Sequence, residues 1–143
     1  FTFLGPVKHL YEWEPFAPAE IAKLQSEGKT VMVDFTADWC LTCQVNFRVA
    51  INTPNVKDVV ERNAIVPMLA DWSNKNETIK AKLQELNSNS IPLLAIYPAG
   101  RPGEVILLRD TILESQLLKA LEEAGPSQGA PATQQVASAA GAE

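Results

Sequence analysis

The chain has 143 residues, 46% apolar and 20% charged, which are ordinary proportions for a globular domain long enough to bury one sizeable core. Its formal net charge of −5 argues against nucleic acid or an anionic membrane surface as a partner. No apolar run approaches the roughly 18 residues of a membrane span. There is no signal peptide, and a first residue Phe1 in place of Met reads as a piece of something longer.

In chain order, Phe1–Pro18 is irregular and aromatic-rich. Phe3, Leu4, Val7, Leu10, Tyr11, Trp13 and Phe16 suit a short strand and a segment that wraps the core, and His9 reads as a surface histidine. Pro18–Glu27 is predicted as a helix, with Pro18 in the first helical position, Gly28 as the C-terminal cap, and Ile21, Leu24 and Ala22 inward. Lys29–Thr36 follows as a central strand, because Val31, Met32, Val33 and Phe35 fit a strand covered on both faces. A second helix is predicted from Cys40 to Ala50 or Ile51, with Val45, Val49 and Ala50 buried. Thr53-Pro54 is a helix start that combines an N-cap threonine with proline in the first turn, and the helix runs to Arg62.

Ala64–Ala70 reads as a buried strand, although Pro67 lacks the N–H a ladder needs and calls for a bulge or an edge position. Asp71–Asn76 is a polar turn before a helix over Glu77–Leu86, with Ile79, Leu83 and Leu86 on one face. Pro92–Tyr97 and Glu104–Arg109 flank a turn-rich Pro98–Gly103 and read as an antiparallel hairpin. Thr111-x-x-Glu114 is read as a capping box for a last helix over Leu113–Ala124, with Leu117, Leu118 and Leu121 inward. Residues 125–143 are rich in Ala, Gly, Pro, Ser and Gln and are read as a disordered tail, so the domain is placed at 1–124. Strands separated by helices call for parallel pairing with right-handed crossovers, and the hairpin adds antiparallel strands. The fold class is therefore α/β, a mixed sheet with helices on both faces. Ala37-Asp38-Trp39 recurs as Ala70-Asp71-Trp72, each after a parallel strand, and is read as coincidence.

Cys40 and Cys43 are the only cysteines, spaced C-x-x-C directly after a strand. At the start of a helix that spacing puts both sulfurs on one face, where the dipole and free N–H groups stabilise a thiolate. A structural disulfide would more often bridge distant elements. A zinc site needs two more soft ligands, and His9 is the only histidine. A redox pair fits best. Asp34, six residues before Cys40, interrupts an apolar run and costs several kcal/mol if charged and unpaired there. It reads as a buried titrating carboxyl or as a partly exposed residue at the sheet end.

The run VDFTADWCLTC resembles the active-site strand and turn of the thioredoxin superfamily. Together with VNFRVAINTPNV and ADWSNKN it is similar to the C-terminal thioredoxin-like domain of DsbD-type thiol:disulfide interchange proteins, over roughly Phe3–Gly125. The resemblance implies a thioredoxin-like fold and a protein-disulfide reductase without a cofactor or metal, its redox group being Cys40–Cys43. It implies that Cys40 attacks, Cys43 resolves and Asp34 accepts the proton of Cys43. Trp39 covers the site, and a cis Ile91–Pro92 bond lies opposite, leaving the Ile91 backbone to a substrate strand. The implied partners are disulfide-bonded proteins and a membrane-embedded electron donor in the same longer chain, in a periplasmic or other extracytoplasmic space, the domain itself being monomeric. A stand-alone thioredoxin-like protein of cytochrome c maturation and a non-catalytic metal-binding module are the alternatives. Two positions depart from the pattern: Phe47 stands where relatives often carry glutamate, and Met68 falls where thioredoxin has the lysine that faces the buried aspartate.

Overall fold

The computed structural model describes residues 7–128. The expectations for Phe3 and Leu4, and for a disordered tail over 129–143, lie outside the described residues. The elements are β1 (Glu14–Pro15), α1 (Pro18–Ser26), β2 (Val31–Thr36), α2 (Leu41–Asn46), a π-helical turn (Phe47–Ile51), α3 (Pro54–Arg62), β3 (Val66–Asp71), α4 (Glu77–Glu85), β4 (Leu93–Tyr97), β5 (Ile106–Arg109) and α5 (Glu114–Ala124). The five strands form one sheet in the order β1-β3-β2-β4-β5. β1, β3 and β2 are parallel, and β4 and β5 are antiparallel to their neighbours.

β2 lies at the centre and is buried on both faces, as its apolar run requires. Val31, Val33 and Phe35 point into one core with Met68, Ala70, Leu93, Ala95, Ile79 and Leu83. Met32 points into the other, with Leu94, Ile96, Phe47, Ala50, Ile51, Val56, Leu117 and Leu121. Alternation along the strand therefore puts Asp34 on the second face, with α2 and α5.

Pro67 sits in an unbroken register against Met32. Val66 N–H donates to Thr30 O on the β2 side. The next residue's missing N–H therefore faces away from β2, where β1 pairs only with Met68 and Leu69. Proline is accommodated at a locally open edge, without a bulge.

Four expectations are corrected. Ala22 is exposed, and Gln25 takes the buried place on α1 beside Ile21. Val45 and Val49 are exposed rather than buried, Val49 at 60%. The buried row is Cys43, Asn46, Phe47, Ala50 and Ile51, a helical stripe that a polar residue obscures in the sequence. Helix α5 is capped at Leu113, whose N–H donates to Gln116 Oε1 at 2.8 Å, and not at Thr111. The reason is Asn46: its side chain donates to Asp110 O (2.7 Å) and accepts from Ile112 N–H (3.1 Å), so 110–112 are held against α2. The folded unit also runs beyond the expected boundary at Ala124. Ser127 is buried, accepts from Thr30 N–H at 2.9 Å and donates to Ala64 O at 2.7 Å.

Candidate active site at the start of helix α2

Cys40 and Cys43 are joined by a disulfide, with their Cα atoms 5.2 Å apart. Cys40 is the N-cap of α2, and its backbone is extended where β2 gives way to the helix. Cys43 N–H donates to Cys40 Sγ at 3.2 Å, so the first turn of the helix already aims a backbone donor at that sulfur. The same donor, and the positive end of the helix, would stabilise a Cys40 thiolate once the disulfide is open. Cys40 is 9% exposed and Cys43 2%, so Cys40 carries the more accessible sulfur. The connecting turn is rigid: Cys40 N–H and the Gln44 side chain both donate to Ala37 O, at 3.2 and 2.9 Å.

Trp39 is 44% exposed beside the pair, and its indole N–H donates to Ser73 O at 3.0 Å. The Ile91–Pro92 bond is cis, the isomer the resemblance implies. Ile91 packs on the small cluster of Ala37, Cys40 and Cys43, so β4 brings it to the disulfide from across the fold. Among the described residues, no group of three or more His, Cys, Asp or Glu side chains is placed to hold a metal ion.

Asp34 is 4% exposed, and its Oδ2 has no hydrogen-bond partner among the described residues. Burial pushes its carboxyl up to about 7, from an ordinary 3.8. Its neighbours on the ladder are Leu69 of β3 and Leu94 of β4. Met68, expected to face it, pairs with Val33 and is buried in the opposite core. The residue across from the aspartate is thus Leu69, one position later, and it is equally apolar. No cation faces Asp34 from β3 or β4.

A cavity of about 160 Å³ opens on the same face, lined among others by Thr36, Leu69, Gln44, Phe47 and His9. Phe47 is buried there, with His9 edge-on at 5.2 Å between ring centres. His9 is exposed, as its surface reading requires. Tyr11, buried above this face, donates its hydroxyl to Ile51 O at 2.7 Å, the carbonyl at the end of the π-helical turn. Burial first, and the Asp34 charge second, push the Tyr11 hydroxyl upward.

The sequence reading missed Asn46, and it took Tyr11 only as part of the core-wrapping segment, without its hydroxyl bond. Asn46 is a polar group that the core buries because backbone partners await it, and apolar periodicity passes over such a residue. The same reading also dismissed the repeated Ala-Asp-Trp. The two copies end the adjacent parallel strands β2 and β3, and the fold brings Trp39 and Trp72 to 6.2 Å between ring centres.

A family model described as thioredoxin-like matches residues 12–99. The thiol:disulfide interchange protein DsbD of Campylobacter jejuni (strain RM1221) is 25% identical over 124 residues, which cover 85% of this chain and 21% of that protein. DsbD of Cronobacter sakazakii is 30% identical over 78 residues, 54% of this chain and 13% of that one. The chain therefore spans about a fifth or less of the length of these relatives. Among solved structures, the oxidised C-terminal domain of Neisseria meningitidis DsbD superposes with a TM-score of 0.60 at 19% identity, over 79% of this chain and 99% of that one. A thioredoxin from Thermus thermophilus gives 0.60 at 21% identity, over 78% and 84%.

Proposed function

The chain belongs to the thioredoxin-like family and, with its bonded Cys40–Cys43 pair, is a thiol:disulfide oxidoreductase domain; from that premise we propose that it is a protein-disulfide reductase serving extracytoplasmic partners. The observation that carries this reading is the asymmetry of the pair: a more exposed Cys40 at the helix cap, and a Cys43 one turn further in and nearly sealed.

In the reduced protein the Cys40 thiolate attacks one sulfur of a partner disulfide. A Cys40–partner disulfide forms, and the other partner sulfur leaves as thiolate. Cys43 then gives its proton to the Asp34 carboxylate and attacks Cys40 Sγ. The Cys40–Cys43 bond forms, and the second partner sulfur leaves. Two electrons pass to the partner, and the proton of Cys43 rests on Asp34. A carboxyl near 7 suits that task, since it neither holds its proton too tightly nor gives it up too freely at neutral pH. Trp39 covers the pair, and the Ile91–Pro92 turn lines the opposite wall, where a substrate strand would lie. The chemistry needs no cofactor beyond the cysteine pair.

The DsbD relatives support a supply of electrons from a membrane-embedded partner within a longer chain, and a periplasmic setting. No helix among the described residues is long and apolar enough to cross a membrane, so on this reading the membrane part lies elsewhere in that longer protein.

The test is trapping. Cys43→Ser should accumulate a mixed disulfide with an oxidised peptide through Cys40, visible by mass, whereas Cys40→Ser should not. The wild type should reduce insulin with dithiothreitol as electron source. Equal trapping by the two variants, or inert thiols with tight zinc binding, would contradict the assignment.

A further inference from the structure

The site's rim carries a cation that the reaction does not use. Lys75 lies in the loop between β3 and α4, with its Nζ 5.0 Å from the ring centre of Trp39 and 6.0 Å from that of Trp72. Trp39 directly precedes the attacking cysteine. The lysine backbone is in the left-handed region at φ 53, uncommon for a residue with a side chain, and Lys75 N–H donates to Trp72 O at 2.9 Å. The loop is latched on every side. Trp72 donates its indole N–H to Asn76 O at 3.1 Å. Ser73 takes the Trp39 indole N–H on its carbonyl and Asp38 N–H on its hydroxyl, the latter at 2.9 Å. This loop therefore holds an exposed ammonium over two indole faces beside Cys40, an arrangement that is favourable but leaves the cation open to an anion.

Two acids lie near the loop, and neither is paired with Lys75 in the structure. Asp71 accepts from both the N–H and the hydroxyl of Ser73, and Asp38 has an interaction of its own. Lys75 makes no ion pair with any described residue. Among the described residues it is an unpaired cation at the mouth of the site, in a chain whose net charge is −5.

We propose that Lys75 is a specificity-determining residue, which favours partner disulfides flanked by a carboxylate: the partner's acid meets the ammonium while its apolar neighbours lie on Trp39 and Trp72. This deepens the reductase reading and rests on it. A lysine that merely packed on the indoles would give the same loop but no dependence on the partner's charge.

The experiment uses two otherwise identical peptides, each closed by one disulfide, with glutamate or with lysine flanking the cysteines. The readout is the ratio of their kcat/KM values for the reduced protein. At about 0.01 M ionic strength the glutamate peptide should lead by about two- to fivefold, an exposed pair's worth, and the lead should vanish at about 1 M. Lys75→Met, an uncharged side chain of similar length, should bring the ratio close to one, and Lys75→Glu should invert it. A wild-type ratio near one at low salt, or a lead that survives in Lys75→Met, would overturn the proposal. If the wild type reduces neither peptide, the reductase reading itself fails and the proposal falls with it.

Discussion

Asp34 is the residue to which the proposed mechanism gives the proton, and its surroundings explain its unusual carboxyl. Leu69 and Leu94 flank it on the ladder and Phe47 lies in the core over the same face, so neither a cation nor a second carboxylate tunes it from these positions. Burial alone raises its carboxyl to about 7. The folded state thus keeps a proton that the unfolded chain releases between about pH 4 and pH 7. Stability due to this group is full below pH 4, falls as pH rises through that window, and levels off above it. At about 1.4 kcal/mol per unit, the loss reaches up to about 4 kcal/mol. Urea unfolding of the oxidised protein at pH 5 and pH 8 should show this drop, and Asp34→Asn should remove most of it. Equal pH dependence in the two proteins would mean that the carboxyl is not desolvated. The aspartate was legible in the sequence because it breaks an apolar run. Its neighbour was not, since an offset of one residue along β3 exchanges the two faces of the sheet and places Met68 where Leu69 stands.

At the scale of elements, the helix after the cysteine pair separates what the sequence carries from what it conceals. Its start was readable from C-x-x-C after a strand. Its inward face was not, because Asn46 occupies the middle of the buried stripe and apolar Val45 and Val49 point outward. Asn46 clamps the segment between β5 and α5, which explains why α5 begins at Leu113 rather than at the threonine-based box. Asn46→Ala strands a buried N–H and a carbonyl and should cost about 2–3 kcal/mol in chemical denaturation. Val49→Thr, on the exposed side, should change stability by less than about 0.5 kcal/mol. If Val49→Thr were the costlier substitution, the helix would be rotated from the orientation described. The cis Ile91–Pro92 bond was legible only through the family likeness, because local sequence does not distinguish the isomers.

For the whole molecule, the mixed sheet with its parallel strands and final antiparallel hairpin follows from alternating elements and short connections, and this was readable; the strand order was not among the expectations. The end of the domain was not readable, because its signal is one buried serine inside a segment of low-complexity composition. Ser127 joins the loop before β2 to the turn before β3, so its hydrogen bonds close the end of the sheet away from the disulfide. A chain ending at Ala124 should melt roughly 3–5 °C below one ending at Gln128, as expected for about 1 kcal/mol per lost contact set in a domain of this size. Equal melting temperatures would put Ser127 outside the cooperative unit. The sheet leaves Cys40 the more exposed of the pair and keeps Asp34 buried in the apolar core on the face of α2; under the proposed mechanism that one carboxyl carries the proton of every turnover. Turnover of insulin reduction measured against pH in wild type and Asp34→Asn is the decisive comparison. The expected result is a wild-type rate that rises through an inflection near 7 as the carboxylate forms, and a variant slower by about 10²-fold without that inflection. A variant that matches the wild type in rate and profile would contradict the assignment of Asp34 as the proton acceptor of Cys43.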